Sequence, residues 1–141
     1  SAKRCDYNCG GFALGLYNWY LPYPQEMRNE ISMIFGDWKC SYRKTMKIMV
    51  NYIVDTLPVR VIKSLKHLDE QTEYCVAFGL SKGDFHYIKR YKQGVWYHKM
   101  GGSYHIQRME EEEVFSKRGW IGGKYNSKIV LLAVKKRQFR G

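Results

Sequence analysis

The sequence has no run of apolar residues approaching the roughly 18 needed to span a bilayer. The longest such run is short, around Ile129 to Val134, so a membrane-spanning helix is excluded. Proline is scarce: Pro22, Pro24 and Pro58 are the only three, and they punctuate the first half. Cysteine is limited to Cys5, Cys9, Cys40 and Cys75. An even number permits two disulfides, but a chain of this length folds without them, so free thiols are expected. Cys5 and Cys9 lack the paired CxxC spacing of a structural zinc site. No signal-peptide pattern stands at the start. The expectation is a soluble protein, cytoplasmic or exported after processing. No repeat shows at a period of 20 to 50 residues.

Acidic residues are also few, 13 against 24 Lys and Arg in 141 residues, for a net charge of +11. Such a balance favours nucleic acid, anionic lipid or an anionic polymer such as cell wall as a neighbour, without choosing among them. Aromatic residues are plentiful, with twelve Tyr, four Trp and six Phe. That count excludes a disordered chain, and the length fits one domain spanning 1–141.

Periodicity divides the chain. Phe12, Ala13, Leu16, Trp19 and Tyr20 form a helical stripe that predicts a helix from Cys9 to about Tyr20, with Asn8 as its N-cap. Pro24 opens a second helix with Met27, Ile31, Ile34 and Phe35 on one face, ended by Gly36. Residues 42–55 predict a third, and residues 59–69 read equally as strand or short helix. Strands follow at 73–80, 84–91, 95–99 and 128–136, separated by Ser81-Lys82-Gly83, Lys92-Gln93-Gly94 and Gly101-Gly102. Glu110 to Glu113 read as a short solvated helix. Helices first (about 9–58) and antiparallel strands second (about 73–136) is an α+β organisation.

Chemistry concentrates at three positions. Cys9 falls in a helix's first turn, where unpaired N–H groups and the dipole favour thiolate and can face an oxyanion. Gly10 and Gly11 are poor helix formers there, which points to a close approach by another group. His86 shares a strand face with Asp84 and Ile88. His98 follows twelve residues later across a hairpin, so the two imidazoles can meet, one as base and the other as its orienter. Asp84 is the alternative orienter.

Asn8-Cys9-Gly10-Gly11-Phe12, Asp84-Phe85-His86 and Gly94-Val95-Trp96-Tyr97-His98-Lys99-Met100-Gly101 resemble the papain-like cysteine hydrolases, nearest to the bacterial cell-wall endopeptidases and amidases and to related toxin-associated domains. The resemblance implies a papain-like fold with Cys9 as nucleophile, His86 as base and His98 as orienter. Tyr7 and Asn8 are the candidates to help the Cys9 N–H hold an oxyanion. It further implies a peptide, protein or peptidoglycan-type substrate and a thioacyl intermediate. Asn8 and Gly10 stand where the wall enzymes usually carry Asp and Ser.

No metal or cofactor is expected, since Cys9, His86 and His98 lack a strong fourth ligand, a role for which His105 could only compete. Two other functions stay open. One is acyl transfer or deamidation by the same site. The other is a nucleic-acid or anionic-surface binding module, suggested by the interleaving of Phe85, Tyr87, Tyr91, Trp96 and Tyr97 with Lys82, Lys89, Arg90, Lys92 and Lys99, and by the basic tail 135–140. Oligomeric state is not legible.

Overall fold

A computed structural model of the protein describes residues 6–36, 42–100 and 105–137. Cys5, Cys40, Gly101-Gly102 and the end of the basic tail lie outside these. Four helices and six strands follow in the order α1 (Cys9–Ala13), α2 (Arg28–Gly36), α3 (Tyr42–Thr56), β1 (Val59–Ile62), β2 (Glu73–Ser81), β3 (Asp84–Lys92), β4 (Val95–Lys99), β5 (Ile106–Glu110), α4 (Glu111–Val114) and β6 (Val130–Lys135).

Helix α1 starts where the sequence predicts. The Asn8 side chain accepts from the Gly11 N–H at 2.9 Å, satisfying one of the helix's orphan donors. It ends far earlier than its apolar stripe suggests. Gly15 takes φ +70°, and Tyr17 follows at φ +53°, so the chain reverses instead of continuing. Leu16, Trp19 and Tyr20 therefore lie on a returning loop. Asn8 clamps that loop as well: its Oδ1 accepts from the Tyr20 N–H at 3.1 Å and its Nδ2 donates to the Tyr20 carbonyl at 2.6 Å.

The strands form one antiparallel sheet in the order β1-β6-β2-β3-β4-β5. Alternation sorts its side chains into two cores. On one face Val76, Phe78, Leu80, Tyr87 and Leu132 pack against Cys9 and Ala13 of α1, Ile31 of α2, and Met49 and Ile53 of α3. On the other, Cys75, Ala77, Ile88, Trp96 and Leu131 pack against Val114, Trp120 and Tyr125 from the segment between β5 and β6. The sheet is thus covered on both faces, and β2, at its centre, is buried nearly throughout.

The architecture is α+β, with N-terminal helices and a C-terminal antiparallel sheet. The ambiguous stretch 59–69 resolves into both readings, strand β1 and then a 3-10 turn at Leu65–His67. Arg60 of β1 grips Glu73 of β2 through Nε and Nη2, both at 2.8 Å. The Asp69 N–H also donates to Glu73, at 3.0 Å, which fastens the connection to the sheet. Strand β5 has no counterpart in the sequence reading.

Candidate functional site

Glycines 10 and 11 explain how α1 reaches the sheet. A Cβ on Gly10 would stand 3.0 Å from the Tyr87 ring of β3, and one on Gly11 would stand 1.9 Å from the Asn18 carbonyl oxygen. The close approach expected at these positions is thus made by the protein itself. On the other side, buried Lys99 of β4 donates its ammonium to the Tyr7 carbonyl and lies 5.0 Å from the centroid of the Tyr7 ring. Lysine is almost never fully buried without a partner. Here it ties the residues just before Cys9 to the strand that carries His98.

The backbone N–H groups of Tyr87, Gly10 and Cys9 itself act to lower the Cys9 pKa. Tyr87 points into the core that holds Cys9, whereas its neighbour His86 points to the other face of the sheet, toward Trp120 and Tyr125.

Cys9 is 5% exposed. Burial raises its pKa from the ordinary thiol value to about 12, with a smaller push from the Asp84 carboxylate, against which the three N–H groups act. The thiolate expected from a helix N-terminus is therefore not the resting form. Desolvation outweighs the donors, and a five-residue helix supplies only a small dipole.

His86 is buried, and its Nε2 lies 2.8 Å from Nδ1 of buried His98. Lys89 pairs with Tyr97, and continuing that register sets Ile88 opposite His98. The imidazoles are thus diagonal neighbours, close enough for rings to meet. Burial, and then the neighbouring His98, lower the His86 pKa to about 3. Burial also lowers that of His98, while Glu113 of α4 raises it. Both rings are neutral at pH 7, so one of the facing nitrogens donates and the other accepts.

Asp84 does not contact His86 as an orienter. Its Oδ2 accepts from the Tyr125 hydroxyl at 2.6 Å and its Oδ1 from the Phe85 N–H at 2.8 Å. Asn8 is occupied at both ends of its amide by the α1 start and the Tyr20 backbone, so it positions Cys9 and does not face a substrate. Tyr7 is buried, with its ring edge-on to Tyr17 at 5.5 Å. Among the described residues no group of three or more His, Cys, Asp or Glu side chains is arranged to hold a metal ion.

The sequence reading missed Trp120 and Tyr125. Their rings lie 6.1 and 5.3 Å from that of His86, and the two residues form a β-bridge that closes the loop carrying them. Gly79, which pairs with His86 across β2 and β3, makes room: a Cβ there would come within 2.8 Å of Trp120. A glycine inside a strand was the available signal. Lys99, one of the basic residues interleaved with the aromatics of residues 82–99, is fully buried.

The stretch 82–99 is not an open base-stacking surface. Tyr87, Trp96 and Lys99 are buried, and Arg90 is paired with Glu70 at 2.8 Å. Only Tyr91 among its aromatic residues is prominently exposed. The glutamate run is likewise more than a solvated face, since Glu111 of α4 accepts from the Trp96 indole at 3.1 Å. Among the described residues no helix is long and apolar enough to cross a membrane. Comparison with family models, curated proteins and solved structures finds no match to this chain.

Proposed function

We propose that the protein is a cysteine-dependent hydrolase of amide bonds, a peptidase or amidase of papain-like architecture. In this reading Cys9 is the nucleophile, His86 the base and His98 its orienter. The observation that carries it is the buried 2.8 Å contact between His86 Nε2 and His98 Nδ1, on the strand whose next residue, Tyr87, packs in one core with Cys9. A histidine held by a second imidazole through one ring nitrogen keeps the other for a proton. With His86 Nε2–H donated to His98, the lone pair on Nδ1 is free to act as base.

Because burial keeps both groups neutral, the reaction runs by general-base catalysis and not from a preformed ion pair. The Cys9 thiol proton passes to His86 Nδ1 as the sulfur attacks the substrate carbonyl. The oxyanion is met by the Cys9 N–H, with the Tyr7 hydroxyl as a second donor. His86 then protonates the leaving amine as the C–N bond breaks, leaving a thioacyl group on Cys9. Water attacks that group with His86 again as base, releasing the acid and restoring the thiol. An amine in place of water makes the same site an acyltransferase, and a glutamine side chain as substrate makes it a deamidase.

The test is exposure of the purified chain to peptidoglycan stem peptides and to a mixed peptide library, with mass-spectrometric detection of products. The reading expects cleavage that is lost in Cys9→Ala and His86→Ala variants of unchanged circular dichroism. Cleavage that persists in Cys9→Ala contradicts it. A purely anionic-surface binder instead shows no cleavage and a retention on polyanions that Cys9→Ala leaves intact.

A further inference from the structure

A second feature lies past the far end of α1 from Cys9. A cavity of about 750 Å³ opens there between Leu14, Leu16 and Tyr17 on one side, Leu57 and Val59 on another, and Tyr74, Lys89 and Val134 of the sheet. Gly15, Pro58, Lys135, Lys136 and Arg137 also line it, and among the described residues no carboxylate side chain does. Its size is that of a small-molecule site, and such sites are mostly apolar with a few placed polar groups.

The placed group is Lys89. It sits on the helix-facing side of β3, half-buried, with its ammonium 4.8 Å from the centroid of the Tyr74 ring and 5.7 Å from that of Phe12. Tyr74 is fixed by its hydroxyl, which donates to the Ala13 carbonyl at 2.9 Å. Ring faces hold a cation without neutralising it, and no carboxylate pairs with Lys89 among the described residues. Burial lowers the Lys89 pKa, with no anion acting in the other direction. Of the other cations, Lys136 already donates to the Glu70 carbonyl at 2.7 Å. The wall is also strained where it meets solvent, since Tyr17 holds φ +53° with its ring half exposed. Strain of this kind clusters at ligand sites.

We propose that this cavity binds an amphiphilic organic anion, with a carboxylate or phosphate head on Lys89 and an aliphatic body along Leu14, Leu16, Leu57 and Val134. A neutral amphiphile leaves Lys89 uncompensated, and a small inorganic anion leaves the apolar walls wet. The site is independent of the Cys9 chemistry.

Isothermal titration of the full chain with decanoate and decyl phosphate tests it, against decanol, decyltrimethylammonium and inorganic phosphate. The expected result is one saturable site for either amphiphilic anion, at least tenfold tighter than for decanol or decyltrimethylammonium, with no saturable binding of inorganic phosphate. Lys89→Met, which keeps the stem and removes the charge, is expected to weaken decanoate at least tenfold and leave decanol unchanged. Leu16→Trp, which fills the cavity, is expected to weaken both. Cys9→Ala is expected to bind decanoate like the parent, so the result stands apart from any hydrolytic activity. Decanol binding as tightly as decanoate overturns the proposal, as does decanoate affinity unaffected by Lys89→Met. Association with anionic phospholipid vesicles but with none of the monomeric amphiphiles overturns it too, because that is adsorption to the basic surface.

Discussion

At His86, burial and a second imidazole act in the same direction, and both oppose protonation. The consequence reaches stability. In the unfolded chain His86 takes up a proton near its ordinary value of 6.5, whereas in the folded chain it does so only near 3. Across that window the unfolded state binds more protons, so stability falls as pH drops through it, by up to about 1.4 kcal/mol per pH unit. Urea unfolding midpoints between pH 6.5 and 5, above the main carboxylate range, are expected to decline, and His86→Phe is expected to flatten that decline.

The same sign applies to the proposed catalysis, because a base with a depressed pKa stays unprotonated in acid. Under the proposed mechanism the acid limb of kcat/KM lies well below pH 6. His98→Ala removes a group that lowers the His86 pKa. It is expected to move that limb to higher pH and to reduce kcat about 10- to 100-fold, with little change in KM. An unshifted limb assigns His98 a packing role only.

Helix α1 shows how five residues position Cys9. Asn8 spends both ends of one amide on the α1 start and on the loop returning at Tyr20. Asn8→Ala is expected to lower unfolding stability by about 1–3 kcal/mol, and to reduce any Cys9-dependent activity by more than that loss of folded protein explains. Gly11→Ala is expected to be at least as damaging in the same urea titration, since its Cβ would overlap the Asn18 carbonyl.

Most strands and the starts of α1 and α3 were legible in the sequence. The alternation around Phe78 and Tyr87 and the cap at Asn8 are local signals, whereas Pro24 opens a 3-10 turn at Gln25–Met27 and α2 itself begins only at Arg28. The end of α1 was not read, although Gly15 marked it, because the stripe through Leu16 and Tyr20 mimics a helix that a left-handed turn interrupts. Strand β5 was hidden because Ile106–Glu110 is exposed at all but Ile106 and Met109, leaving little alternation to read. Of the candidate site, the meeting of His86 and His98 was legible from spacing. Trp120, Tyr125 and Lys99 were not, since their burial depends on long-range packing against β3 and on the Tyr7 carbonyl.

Over the whole molecule, an excess of eleven positive charges surrounds a sheet covered on both faces. Several cations are engaged internally: Lys99 under α1, Lys89 in its cavity, Arg60 and Arg90 on glutamates. What remains outside still makes a surface attractive to polyanions. Retention on a mixed-sequence oligonucleotide is expected to fall steeply with salt and to be identical in Cys9→Ala, as befits a charge effect separate from the site.

In the proposed mechanism Cys9 carries an acyl group with the help of His86. The most direct measurement of this step uses p-nitrophenyl acetate, followed by acid quench, intact-mass analysis and peptide mapping. The account predicts one acetyl group on the Cys9 peptide, formed with a burst of p-nitrophenolate, absent in Cys9→Ala and slowed at least 100-fold in His86→Gln. Acetylation spread over surface lysines, equal in all three proteins and missing from Cys9, contradicts it.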